Sequence, residues 1–477
     1  MRCVNVMTIN EEFVRIEKRD TVTLRGKEIP YMAIGEDYPV YSADGTLAGS
    51  MFLYSYLRTG VPADRPVLFA FNGGPGSSAA WVYTGILSPK RIKMDEAFRT
   101  SVHPDAEITD NPHCPLDICD IVIIDMAHTG NSLVYNEAKL KEFFSTDADA
   151  VLFAEVIRTW LIRNNRLNSP KYLLGESFGT VRSALLVNVL YGGPTIPGHK
   201  SFGITIDGII LMGSSIIRKA GVNPFTEAEI PKAVLDLPTL AAVRWYHRKP
   251  QGVLLDQFVE ESYRFAVGEY LTLLTCLYRL SESDRRAAIE KLSYYTGISA
   301  AVLQRYEYQI PSNVFAGEFL RAEGKDIGLY DARFTMDAAA GGYLTDPVAD
   351  DPSMGLYAGP YRAALDGIQK YYLGEDFHRD YTVIDFLVNG SWDHGATAQA
   401  FRYLQMALRR SQDFRILWTN GVYDLVPTIG QSRYVVSHLQ AYPGQIIMRE
   451  YPSGHMSYVG EESQSCLADD IRDFINS

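Results

Sequence analysis

Nothing in this chain comes near the ~20 consecutive apolar residues that a bilayer-crossing helix needs, so the sequence offers no membrane span. Cysteine is scarce. The five present (Cys3, Cys114, Cys119, Cys276 and Cys466) are odd in number and scattered, which supplies neither a disulfide framework nor the Cys-x-x-Cys spacing of a zinc site. Positive charge is in deficit: the formal net charge of −12 argues against nucleic acid or an anionic membrane surface as the main partner. The segment Met1–Thr8 has no apolar core of a signal peptide and soon meets Glu11, Glu12 and Glu17. A reducing, cytoplasmic location is therefore expected. Internal repeats are missing too, which excludes a solenoid. No pattern for a metal or an organic cofactor is visible, and none is expected.

What is present is an ordinary globular composition, with 47% apolar and 21% charged residues over 477 positions. From about Phe13 to Arg58, apolar and polar residues alternate between turn formers such as Asp44-Gly45, the pattern of antiparallel strands. Continuous apolar runs follow at Val67–Phe71, Ile121–Asp125, Lys171–Leu174, Gly208–Met212 and Arg415–Trp418, as suits strands buried on both faces. Helical patterns such as Ala148–Arg163 separate them. Strand and helix in alternation predict an α/β protein with a mostly parallel central sheet. The rhythm breaks between about Ser215 and Tyr381, where helix signals dominate. One apolar stripe runs from Leu255 to Leu277, and a further helix is predicted between a Ser281 cap and Gly297. The organisation expected is a core over 1–214, a mainly helical cap over 215–380, and a resumed core over 381–477.

The most informative run is Gly175-Glu176-Ser177-Phe178-Gly179, between the apolar strand Tyr172–Leu174 and a helix expected from near Thr180. A Gly-x-Ser-x-Gly pattern in that setting is a nucleophile elbow. Its sharp turn forces the central residue into strained angles, and small flanking residues let neighbouring chain approach. The serine hydroxyl is thereby presented at the carboxyl edge of a sheet, over a helix N-terminus. A serine nucleophile needs a base, and the base needs a carboxylate to hold its tautomer. Downstream, Leu417–Asp424 reads as a strand ending in a turn that presents Asp424. The strand Ile446–Tyr451 leads into Pro452-Ser453-Gly454-His455-Met456. A lone aspartate after a strand is more often a helix cap, and a lone loop histidine is usually just solvated. The order Ser177, Asp424, His455 at matching strand ends joins them. His394 is the nearest rival, but it precedes Asp424. Charge developing on a substrate oxygen needs donors aimed at it. The amide of Phe178 is one, and the glycine-rich loop Asn72–Ser78 can supply another. That loop lacks the Walker lysine, and Pro75 removes a donor that a phosphate loop would need.

In combination, Phe71–Ser78, Gly175–Gly179, Asn420–Asp424 and Gly454–Met456 resemble the four signature blocks of the serine carboxypeptidases, with the texture of their bacterial members, within the α/β-hydrolase superfamily. Asp120–Ser132 resembles a fifth, more divergent block, and Leu329–Phe334 loosely matches the cap. The resemblance implies an α/β-hydrolase fold with an inserted helical cap and a serine-type carboxypeptidase acting through an acyl-enzyme. It makes Ser177, Asp424 and His455 a catalytic triad and the amides of Gly74 and Phe178 an oxyanion hole. Asn72, the amide of Gly73 and a protonated Glu176 would bind the free C-terminal carboxylate of a peptide substrate. An esterase or acyltransferase using the same triad is the alternative. Three departures stand out. Many members carry a second glutamate paired with the one in the elbow, and Ile86 occupies its place here. The fifth block loses its usual proline and glycine around Met126 and His128. Members are also commonly secreted and disulfide-bonded. The sequence leaves the oligomeric state open, a homodimer included.

Overall fold

A computed structural model of the chain describes residues 5–9, 13–93, 108–193, 201–217, 230–338, 348 and 350–477. The four N-terminal strands are β1 (Asn5–Ile9), β2 (Phe13–Leu24), β3 (Lys27–Tyr41) and β4 (Leu47–Arg58). The next six are β5 (Val67–Phe71), β6 (Asp120–Ile124), β7 (Lys171–Glu176), β8 (Gly208–Met212), β9 (Arg415–Gly421) and β10 (Ile446–Tyr451). Among the described residues these form one ten-stranded sheet in the order β1-β2-β3-β4-β6-β5-β7-β8-β9-β10. β1 to β4 pair antiparallel, and β4 joins β6 antiparallel. From β6 to β10 every pairing is parallel. The division follows the sequence pattern. β5 to β8 are largely apolar and buried at every position, with the charged residues Asp120, Lys171 and Glu176 at strand ends, because helices cover both faces.

The connecting helices start where chemistry allows. Helix α1 (Thr146–Arg163) is capped by Ser145, whose Oγ accepts from the Ala148 amide at 3.3 Å, with Asp147 and Asp149 in its first turn. Helix α2 (Phe178–Tyr191) is buried almost all round and begins two residues earlier than the sequence predicts, directly after Ser177. In the inserted block, helix α3 (Lys232–Arg248) packs with α4 (Leu255–Phe265) and α5 (Glu282–Thr296). The Ser281 cap and Gly297, at φ 72°, delimit α5 as predicted. The stripe from Leu255 to Leu277 is not one regular helix, however. Ala266–Tyr270 is a π turn, followed by a short helix over Leu271–Cys276. Phe265, Ala266, Tyr270 and Leu273 all enter one cluster, and the extra residue in the turn is what puts that spacing on one face.

The inserted residues serve two cores. Those from Val234 to Ala332 build a cluster that touches Val422, Tyr423 and Leu425 beside the end of β9. Helix α6 (Met354–Leu373) instead sends Tyr357, Tyr361, Ile368 and Tyr372 into the cluster that includes Tyr31, Tyr54 and Tyr56 of β3 and β4. No helix of the described residues is long and apolar enough to cross a membrane. Cys114, Cys119, Cys276 and Cys466 are free thiols.

Candidate active site

Ser177 directly follows β7, at φ 59° and ψ −126°, a left-handed conformation that a residue with a side chain adopts only when its surroundings impose it. Its amide donates to the Met212 carbonyl at 2.9 Å, and its carbonyl accepts from Thr180 N (2.9 Å) and Thr180 Oγ1 (2.6 Å). The elbow glycines are steric necessities. A Cβ at Gly175 would lie 2.1 Å from the Gly179 carbonyl oxygen, and one at Gly179 only 3.0 Å from that of Asn72.

His455 and Asp424 meet across the ends of β9 and β10. His455 Nδ1 lies 2.6 Å from Asp424 Oδ2, and Asp424 Oδ1 accepts from the Val426 amide at 2.9 Å. With Nδ1 donating to the carboxylate, Nε2 is the nitrogen left to take a proton. Both groups are buried. Burial pushes the Asp424 carboxyl up, against the lowering effect of His455. Burial by itself would lower His455, but the charge and hydrogen bond of Asp424, with a further contribution from Glu176, raise it overall. Close backbone packing fixes the loop. A Cβ at Gly421 would lie 2.0 Å from the Gly454 carbonyl oxygen, and one at Gly454 2.4 Å from Asp331 Cβ. The His455 amide donates to the Tyr330 carbonyl at 2.6 Å, and the two rings meet edge to face at 5.4 Å. Buried Arg333, paired with Asp331 at 2.6 Å, donates to the Pro452 and Val459 carbonyls on either side of His455. The 329–334 segment is thus the brace of the histidine loop.

Ser177 and His455 line one cavity of about 90 Å³ together with Asn72, Gly73, Gly74 and Glu176. Its remaining wall is largely apolar, from Trp81, Met354, Ile384 and Met456. A larger cavity of about 550 Å³ lies behind the histidine loop, between Trp245, Tyr246 and Glu461. None of the serine, histidine and carboxamide groups above lines it. In the small cavity, Asn72 Nδ2 donates to Glu176 Oε1 at 2.7 Å, while its Oδ1 accepts from the Val82 amide at 3.2 Å, which fixes the orientation of the carboxamide. Buried Arg182, paired with Asp149, donates to the Asn72 carbonyl at 2.7 Å. Glu176 Oε2 is buried with no hydrogen-bond partner. Burial pushes the Glu176 carboxyl up to about 7, offset in part by His455, Tyr458 and Asn72.

Gly73 lies against the elbow: a Cβ there would be 2.3 Å from the Phe178 amide nitrogen. The amides of Phe178, at the first position of α2, and of Gly74 meet no acceptor among the described residues. The glycine loop is held from outside. Asp125 Oδ1 accepts from the Ala79 amide and the Tyr381 hydroxyl, both at 2.9 Å. The Asp385 amide donates to the Gly76 carbonyl at 2.7 Å, and Asn389 Nδ2 donates to the Pro75 carbonyl at 3.0 Å. His128, where the resembling block has lost its glycine, retains φ 72° and is tied by Nδ1 to Asp385 Oδ2 at 2.6 Å. His394 lies edge-on to the Phe178 ring at 5.7 Å and is not the imidazole at Asp424.

Two features escaped the sequence. Residues 382–389 clasp the glycine loop, a contact 300 residues distant that no local pattern signals. Tyr458 also stands beside Glu176, close enough for each to perturb the other. Its ring occupies space that exists because residue 85 is glycine: a Cβ there would lie 2.3 Å from Tyr458 Cε2.

No family model matches the chain, and no curated protein matches it. Among solved structures it is similar to a prohormone-processing carboxypeptidase from Saccharomyces cerevisiae, at 12% identity over 94% of this chain and 91% of that one, with a TM-score of 0.54. Weaker likenesses include a proline iminopeptidase from Mycobacterium smegmatis (12% identity, 92% and 99% covered, TM-score 0.35). Another is a thermostable carboxyl esterase from Bacillus coagulans (11% identity, 93% and 98% covered, TM-score 0.38). The chain has the α/β-hydrolase fold, with the antiparallel N-terminal portion and helical insertion that the sequence predicts.

Proposed function

We propose that this chain is a serine-type carboxypeptidase that removes C-terminal residues from peptides through an acyl-enzyme. The observation that carries the reading is the pairing, in one small cavity, of a strained Ser177 and Asp424-bound His455 with a buried, half-unsatisfied Glu176 held by Asn72. The first group is acyl-transfer machinery. The second is a site for something that shares a proton with a carboxyl group.

In the mechanism this arrangement supports, Ser177 Oγ attacks the carbonyl carbon of the last peptide bond while His455 Nε2 takes its proton. The amides of Gly74 and Phe178 receive the oxyanion. His455 then protonates the departing amine, and a water repeats the sequence to release the acyl group. Asp424 holds the imidazole tautomer and stabilises the imidazolium. The substrate's terminal carboxylate meets Asn72 Nδ2, the Gly73 amide and Glu176. Two carboxylates in contact repel, so Glu176 serves when it carries a proton.

The sign of the pH dependence follows. Below about 7, Glu176 is protonated and donates; above that it ionises and repels the substrate. KM for free-acid peptides is therefore expected to rise as pH passes upward through 7, while protonation of His455 lowers kcat on the acid side. Glu176→Gln should abolish the alkaline rise in KM, because the amide neither ionises nor loses its donor. Initial rates on one peptide from pH 5 to 9 check this, and an unchanged profile in Glu176→Gln refutes the clamp. An esterase on the same triad would treat free-acid and amidated peptides alike.

Gly73→Ala offers an independent check of the oxyanion site. Its Cβ would press on the Phe178 amide, so kcat is expected to drop on the order of 10²-fold, the cost of one such donor. Steady-state kinetics with a circular-dichroism control for folding measures it.

A further inference from the structure

We propose that His128 is a positioning residue for the oxyanion site: through Asp385 it fixes the clasp, residues 382–389, that holds the glycine-rich loop in place. The inference rests on the acyl-transfer reading of Ser177 above and applies to a peptide or an ester substrate alike.

The starting point is a side chain on an unfavourable backbone. His128 sits at φ 72°, where the glycine usual in the resembling block would be unstrained. A side chain persists in that region where its contacts over-determine it, and such residues gather at functional sites. The contacts of His128 are specific. Its Nδ1 lies 2.6 Å from Asp385 Oδ2, and with a carboxylate as acceptor Nδ1 is the donor. The ring stands edge-on to Phe144 at 5.7 Å.

Asp385 is the junction through which this contact reaches the site. Its Oδ1 accepts from the Leu387 and Val388 amides and so caps the short helix Phe386–Ser391. Its own amide donates to the Gly76 carbonyl at 2.7 Å, and the helix brings Asn389 Nδ2 to the Pro75 carbonyl at 3.0 Å. On the other side of Asp385, the Val383 carbonyl accepts from the Ser78 amide at 2.9 Å, and Ile384 bridges Ser77. Every residue from Pro75 to Ser78 therefore meets the clasp. The fit is close, since a Cβ at Gly76 would lie 2.6 Å from the Asp385 carbonyl oxygen. Ser77 in turn donates its amide to the Gly73 carbonyl at 3.2 Å, next to the Gly74 amide. The clasp is tied to the fifth block at both ends of its first half. At Thr382 the tie is backbone, two hydrogen bonds with Gly130 at 2.8 and 3.2 Å; at Asp385 it is the His128 side chain. An oxyanion donor acts by where it is held beforehand, so a small displacement caused from outside the site lowers the rate of the chemical step.

Two variants test the proposal. His128→Gly removes the imidazole from a backbone that glycine adopts without strain, so the fold is kept. His128→Asn also tolerates positive φ, and its Nδ2 is bonded to Cγ as Nδ1 is in histidine, so the donor to Asp385 is retained. Both are assayed for kcat and KM on an activated ester without a free carboxylate, and for inhibition by a peptide aldehyde. Ser177 Oγ adds to the aldehyde carbon, its proton passing to His455, and the former carbonyl oxygen is left in the oxyanion site. In His128→Gly, kcat is expected to fall about tenfold at unchanged KM, part of the cost of losing one oxyanion donor, and the aldehyde Ki to rise by the same factor. His128→Asn should stay close to wild type in both. Wild-type kcat and Ki in His128→Gly overturn the proposal whatever happens to its melting temperature, because the role is then structural. Equal loss in the two variants also overturns it, because the δ nitrogen then makes no difference. A wild-type protein that turns over neither ester nor peptide and does not bind the aldehyde overturns the acyl-transfer reading itself, and the role of His128 with it.

Discussion

Replacing Ser177 by alanine is expected to lower acyl hydrolysis about 10⁶-fold, the cost seen when the nucleophile of a serine hydrolase is deleted. The expectation rests on the backbone as much as on the side chain. At φ 59° Ser177 occupies a conformation in which alanine pays the same strain, so the variant should fold like wild type. Buried Gly175, Gly179 and the Met212 contact hold the elbow regardless of the hydroxyl. The variant should also fail to react with a fluorophosphonate that labels the wild type at Ser177. Residual turnover near the wild-type rate would mean that another group is the nucleophile.

Asp424→Asn is the second large effect. The carboxylate is wholly buried, its Oδ2 meets His455 Nδ1 at 2.6 Å, and its Oδ1 accepts from the Val426 amide. An asparagine conserves shape, but it can present its N–H to the imidazole and select the wrong tautomer. It also removes the charge that holds the His455 value up. A fall in kcat of about 10⁴-fold is expected. Pre-steady-state acylation with an activated ester measures it, and a loss below about tenfold would show that Asp424 does not orient the base.

How legible the site was depends on how local its signals are. Ser177 announces itself because the elbow demands Gly175 and Gly179 within four residues and a strand and helix on either side. Asp424 and His455 are individually ambiguous in sequence, and their order behind the elbow is what singled them out. Parallel β7, β8, β9 and β10 bring their carboxyl ends to one rim, which is the arrangement that chain order presupposes. The parallel strands were readable for the same reason, since burial on both faces leaves uninterrupted apolar runs.

What stayed hidden depends on distant neighbours. The π turn at Ala266–Tyr270 keeps the apolar content of a regular helix and differs only in register, which composition does not record. Helix α6 was read as cap, but its tyrosines pack beneath β3 and β4, a choice made by partners more than 300 residues away. Tyr458 lies three residues past the histidine and reads as loop filler. Its place is set by Gly85, where the absence of a side chain admits the ring. Ile86 signalled the loss of a carboxyl pair, and the group beside Glu176 turns out to be a phenol. The divergent fifth block follows the same logic, because His128 takes up a glycine-like conformation that Asp385 stabilises from another part of the chain.

The most direct test of the central claim is mass spectrometry of one peptide, in free-acid and amidated forms, incubated with wild type and with Ser177→Ala. Stepwise loss of single residues from the C-terminus, confined to the free acid and to the wild type, is the predicted result. Internal cleavage, equal attack on the amidated form, or the same products from Ser177→Ala would contradict the account.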